Sequence, residues 1–127
     1  MPRPIPDFLE ILKILSKHKV DFIVVGGVCA VIHGAPVTTF GLDMVHSRSE
    51  DNLSRLVSAL REFDAYYRGR GDQQLRPELS HFSSPGHQLL MTTFGPLDVL
   101  GTIGTGHSYD NLLKHTVELE VSRNRCL

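Results

Sequence analysis

The sequence predicts an α/β (α+β) fold, and three patterns carry that prediction. Phe22-Ile-Val-Val25 is a β-branched run that stops at Gly26-Gly27 and gives way to a short apolar stretch, Val28 to His33. Phe8, Ile11, Leu12 and Leu15 recur at helical spacing, as do Leu53, Leu56, Val57 and Leu60. Gln88 to Thr93 and Leu97 to Gly101 are two apolar runs separated by Phe94-Gly95-Pro96, the pattern of a hairpin.

Taken in chain order, the first helix runs from about Asp7 to Lys17. Asp7 followed by Glu10 supplies a capping box, and the apolar stripe packs on a sheet. Phe22 to Val25 is then a buried strand. Val28 to His33 is a short helix stopped by Gly34 and Pro36. Leu42 to His46 is the next strand, with Leu42 and Met44 on one face and Gly41, Asp43 and Val45 on the other. Ser49 opens a long helix reaching about Phe63. Ala65 to Arg68 is a short strand. Gly69 to Pro85 is polar and reads as loop, with a short strand near Leu79 to Phe82. After the hairpin, Gly101 to Gly106 reads as a flexible link. Ser108 caps a helix from Tyr109 to His115, and Val117 to Val121 forms a last edge strand.

With 127 residues, the chain has the size of one domain with a single core. Its 41% apolar and 21% charged residues are ordinary for a soluble globular protein. A formal net charge of −1 creates no basic field that would invite nucleic acid or anionic lipid. The two cysteines, Cys29 and Cys126, form neither a disulfide framework nor a zinc spacing, which suits a reducing compartment. The first residues lack the apolar core of a signal peptide, and the longest apolar stretch is too short to span a bilayer. A cytoplasmic protein with no membrane segment is the expectation.

The chemistry centres on Gly26, Gly27, Asp43 and Asp98. A Gly pair between strand and helix frees backbone N–H groups to face a phosphate, aided by the helix dipole. Asp43, between Leu42 and Met44, and Asp98, between Leu97 and Val99, interrupt apolar strands. A buried carboxylate is costly without a cation or donor. Two readings stand for the pair: a Mg²⁺ site beside a triphosphate, or two acids each bonded to loop backbone. The Gly-Gly turn favours the metal, because Mg²⁺ takes one or two carboxylates together with substrate phosphates.

Gly26-Gly27, Ala30, His33-Gly34, Thr38-Thr39, Gly41-Leu42-Asp43 and Gly95 to Asp98 together resemble the nucleotidyltransferase superfamily with the DNA polymerase β-like fold. The resemblance runs from about Asp7 to Val121 and is strongest to small bacterial proteins related to AbiEii. It implies a central mixed sheet with helices packed mainly on one side. It also implies Asp43 and Asp98 as catalytic and metal-holding acids, Gly26 and Gly27 as phosphate contacts, and Mg²⁺ with a nucleoside triphosphate as the ligand. Two departures stand out. The leading acid of the family's Asp-x-Asp pair is Gly41, which offers no oxygen to a metal. The helical extension that relatives often carry after the last strand is absent from the 127 residues. The family resemblance therefore implies a nucleotide pocket with impaired or lost transfer chemistry. The alternative is a non-catalytic interaction module, such as a toxin–antitoxin or defence-system partner, working as a homodimer or with another protein.

Arg48 leaves the Asp43 strand and is a candidate phosphate contact, weighed against a solvated position before the Ser49 helix. Arg68, Arg70 and Arg76 read as a wet basic loop. His33 reads as a structural turn residue, and His81, His87 and His107 lack zinc spacing. Ser84 and Ser108 lack a nucleophile-elbow setting.

Overall fold

A computed structural model describes residues 7–26, 41–70, 74–115, 117–118 and 125–126. Gly27, the expected Val28 to His33 helix with Cys29 and its Gly34 and Pro36 stop, and Thr38-Thr39 lie outside the described residues.

The first helix, α1, is Phe8–Lys17, and Asp7 caps it by accepting the Glu10 N–H at 3.1 Å. Strands β1 (Phe22–Val25) and β2 (Leu42–His46) form where the β-branched runs predict them. Helix α2 is Glu50–Glu62, and the Ser49 hydroxyl accepts the Asn52 N–H at its start. Then come β3 (Tyr66–Tyr67), a 3₁₀ turn at Leu79–Ser83, and the hairpin strands β4 (His87–Thr92) and β5 (Gly95–Leu100). Short strands β6 (Thr102–Ile103) and β7 (His107–Ser108) precede α3 (Tyr109–Leu112), followed by β8 (Val117–Glu118) and β9 (Arg125–Cys126).

Seven strands join in the order β3-β4-β5-β2-β1-β9-β8, with β6 and β7 paired separately. The sheet is mixed: β2 runs parallel to β5 and β1 to β9, and the other pairs are antiparallel. One face is covered by α1 and α2. Ile11, Leu12 and Leu15 with Leu53, Leu56 and Leu60 bury against Phe22, Val24, Leu42, Met44, Leu90, Leu97 and Val99. Each such side chain contributes about 1.5–3 kcal/mol when fully buried, so this layer dominates folding. The opposite face carries a smaller cluster of Ile23, Val25, Val45 and Leu100 against Leu112 of α3. By strand alternation the two acids lie on this second face.

A buried carboxamide ties the layers together at one end. Asn52 is fully buried; its Oδ1 accepts the Asp21 N–H at 2.7 Å, and its Nδ2 donates to Asp21 O at 3.1 Å and Ser47 O at 2.8 Å. One side chain on α2 thus fixes the entry to β1 and the exit from β2.

Four elements depart from the sequence expectation. Leu79 to Phe82 is not a strand but the 3₁₀ turn, because His81 Nδ1 accepts the Glu78 N–H and Phe82 plugs into the core. The hairpin turns at Thr93-Phe94, earlier than expected. Thr92 Oγ1 donates to Gly95 O at 2.7 Å and accepts the Phe94 N–H, while Gly95 takes φ 125°. The expected flexible link after Gly101 is the β6–β7 hairpin, whose glycines Gly104 and Gly106 supply the positive φ its turn needs. The expected edge strand is Val117–Glu118 among the described residues, and a further strand not expected, Arg125–Cys126, inserts between it and β1.

Candidate active site

Parallel pairing of β2 with β5 sets Leu42 opposite Leu97, Asp43 opposite Asp98 and Met44 opposite Val99. Strand alternation sends the apolar members of this ladder into the core under α1 and α2. The same alternation sends both acids to the other face. Burial, hydrogen bonding to Asp98 and the Asp98 charge push Asp43 up to about 6, while Arg68 and His87 pull the other way. Below about pH 6 Asp43 therefore carries a proton, whose place a bound cation would take.

Gly26 forms the floor beneath Asp43. It ends β1 with φ +75°, and a Cβ built there would lie 2.6 Å from Asp43 Oδ2. Both the backbone conformation and the close approach require glycine. On the other side, Gly41 packs over Pro96: a Cβ at 41 would lie 3.3 Å from Pro96 Cβ. This tight contact to the neighbouring strand is a packing reason for glycine that the sequence does not display.

Arg68 completes the site, and the sequence reading as a wet loop residue is corrected here. Its N–H donates to Leu89 O at 3.1 Å, just beyond the β3–β4 pairing, and Leu89 is the register partner of Asp98. Arg68, Leu89, Asp98, Asp43 and Val25 therefore line up across five neighbouring strand positions. The guanidinium Nη2 pairs with Asp98 Oδ1. The signal that points to such a residue is the carboxylate pair itself, since acids on an apolar sheet need a cation. Only the strand pairing shows which arginine supplies it.

Arg48 is placed elsewhere. It is exposed in the loop after His46, five residues along from Asp43 and at the opposite end of β2. At about 3.3 Å per residue that separation is on the order of 16 Å, so Arg48 does not join the acids. Gly27 lies outside the described residues.

The remaining candidates have structural partners. Arg76 Nη1 donates to Asp64 O at 2.8 Å and Ala65 O at 3.1 Å, and pairs with Asp64 Oδ1 at 2.7 Å. His81 Nδ1 lies 2.8 Å from the Tyr67 hydroxyl, and His87 Nε2 donates to Thr102 O at 3.1 Å. His46 is buried edge-on against Phe82, and that burial holds its pKa below the ordinary histidine range. No group of three or more His, Cys, Asp or Glu side chains assembles among the described residues. Cavities of about 360 and 730 Å³ lie beside Arg76 and Glu78, and neither is lined by Asp43 or Asp98. Among the described residues the acids lie on the sheet face opposite α1 and α2. No described helix is long and apolar enough to cross a membrane.

No protein-family model matches the chain, and no curated protein matches it. A solved structure from Thermotoga maritima, named provisionally as a nucleotidyltransferase, is similar over 100% of this chain and 80% of its own, with a TM-score of 0.58 and 17% identity. Identity at that level speaks to architecture alone. With the mixed sheet and its helices in place, the chain has a nucleotidyltransferase-like fold.

Proposed function

We propose that this chain is a nucleotidyltransferase-like protein, of the kind related to AbiEii, whose Asp43–Asp98 pair holds one Mg²⁺ together with a nucleoside triphosphate. The observation that carries the reading is the register pairing of the two acids on neighbouring strands, with Asp43 beside Gly26. Two carboxylates match the donor set Mg²⁺ takes when phosphate and water complete its octahedron. The ion would neutralise charge on the triphosphate oxygens. Gly26 and Gly27 amides contribute phosphate contacts on this reading.

Catalysis is weak or lost on this account. Phosphoryl transfer through two ions needs ligands for one metal at the nucleophile and one at the leaving phosphates. Gly41 removes a ligand, and Arg68 already engages Asp98. In an active relative, an acceptor oxygen bonds to the α-phosphorus as the bond to the β-phosphate oxygen breaks and pyrophosphate leaves. Here Asp43 and Asp98 serve mainly to bind.

A second reading, the non-catalytic interaction module, draws support from Gly41 and from Leu89, which is 47% exposed next to Asp98. Thermal unfolding with ATP, GTP, CTP or UTP, with and without Mg²⁺, separates the two. A nucleotide at 100 times its dissociation constant adds about 2.7 kcal/mol of stability. Flat curves with all four favour the interaction module.

A further inference from the structure

Arg68 engages the acid pair with only part of its guanidinium. Nη2 donates to Asp98 Oδ1, whereas Nε is buried and finds no acceptor among the described residues. A guanidinium facing a carboxylate squarely makes two parallel bonds; this one makes a single contact and leaves a donor unsatisfied. Its position is nonetheless set by the sheet, since the Arg68 N–H is bonded to Leu89 O, opposite Asp98. Among the described residues, Asp98 is the one side chain its guanidinium bonds.

With both acids ionised, Asp43, Asp98 and Arg68 together carry one net negative charge. A divalent ion that binds Asp98 must share that carboxylate with a fixed positive charge a few ångströms away, and like charges at that range repel strongly in a partly dry site. The single-point grip makes Arg68 displaceable, and its unsatisfied Nε makes the displaced state less costly than loss of a full fork.

From this geometry we infer that Arg68 is a resident counter-cation of the Asp43–Asp98 pair, competing with a divalent metal for Asp98 and so setting the metal affinity of the site. The inference rests on the reading of the two acids as a metal site. Arg68 is a positioning and selectivity residue on this account. It holds the carboxylates together when no metal is bound and yields Asp98 when one arrives.

The test uses Mn²⁺ alone, without nucleotide, followed by electron paramagnetic resonance of the free ion. Wild type, Arg68→Gln, Arg68→Lys and Asp43→Asn are compared, with folding checked by circular dichroism. Arg68→Gln, which removes the charge and keeps the length, is expected to bind Mn²⁺ about tenfold more tightly than wild type. Arg68→Lys, which keeps the charge, stays near wild type, and Asp43→Asn loses the ion. Equal or weaker binding in Arg68→Gln, with binding still abolished by Asp43→Asn, overturns the role of Arg68 and leaves the metal site standing. No binding in any variant overturns both.

A second measurement on the unaltered protein guards against a variant that does not fold. Titration with Mg²⁺ must shift the ¹⁵N resonance of Arg68 Nε as the guanidinium leaves Asp98. An unmoved resonance while Asp98 responds to the ion overturns the competition.

Discussion

Asp43 and Asp98 are register partners across two parallel strands, with Gly26 pressed beneath one and Arg68 paired to the other. Neither acid is placed there by folding preference. Asp43 sits in a strand whose neighbours Leu42 and Met44 are fully buried, and a carboxyl raised to about 6 weakens the fold at neutral pH. An arrangement that costs stability without a ligand is the pattern expected of a binding site.

The raised carboxyl predicts a pH dependence of definite sign. A folded-state pKa of about 6 lies above that of an unfolded aspartate, so the native protein binds more protons between roughly pH 4 and 6. The stabilisation is therefore present in full below that window and is lost as pH rises through about 6. His46, held below the ordinary histidine range by burial, acts with the opposite slope, losing stability as pH falls. Urea midpoints of wild type and Asp43→Asn between pH 4.5 and 8 separate the two. In metal-free buffer the asparagine variant gains on wild type as pH rises; a constant difference contradicts the raised Asp43 carboxyl.

Gly26→Ala tests the floor of the site. The positive φ and the 2.6 Å approach to Asp43 Oδ2 both oppose a methyl group. A loss of about 1–3 kcal/mol in unfolding free energy is expected, from the strained backbone. The pH-dependent contribution of Asp43 should change with it, because the carboxyl must move. Unaltered stability in equilibrium denaturation counts against this packing.

Asn52→Ala removes four side-chain hydrogen bonds and strands the Asp21 N–H in the interior. Its cost should reach about 2–4 kcal/mol, well above that of a surface asparagine. Chemical denaturation gives the number. A loss below about 1 kcal/mol shows that water or a shift of Arg55, which also reaches Asn52 Oδ1, takes over the role.

Gly41→Asp supplies, just before β2, the further acid that the proposed metal site lacks. Its Cβ must push Pro96 by a few tenths of an ångström, so a modest stability loss without metal is expected. With Mg²⁺ present the variant should bind nucleotide more tightly than wild type, and any transfer activity should rise. Calorimetric titration checks the affinity; no gain in either property argues that the site has diverged beyond the one residue.

Much of the fold is legible locally, and the rest is not, for identifiable reasons. Phe22–Val25 and Leu42–His46 are marked by β-branched or alternating patterns, and α1 and α2 by helical stripes with Asp7 and Ser49 as caps. These signals lie within a few residues of one another. The partnership of Arg68 with Asp98 depends instead on a short strand docking on a hairpin, a pairing that neither segment encodes alone. Arg48 looks closer to Asp43 in sequence, yet an extended strand carries it to the far end of the sheet. The contact between Gly41 and Pro96 is likewise visible only once β2 and β5 are side by side. Glycines mislead in the other direction: Gly104 and Gly106 suggest a loose link and instead close a small hairpin.

The central claim is that Asp43 and Asp98 bind a metal–nucleotide complex. Isothermal titration of the wild-type protein and Asp43→Asn with each nucleoside triphosphate, in Mg²⁺ and again in EDTA, tests it most directly. The account predicts binding of at least one triphosphate by wild type in Mg²⁺, lost in EDTA and weakened at least tenfold in Asp43→Asn. Equal affinity of the two proteins, or no heat with any nucleotide, contradicts it.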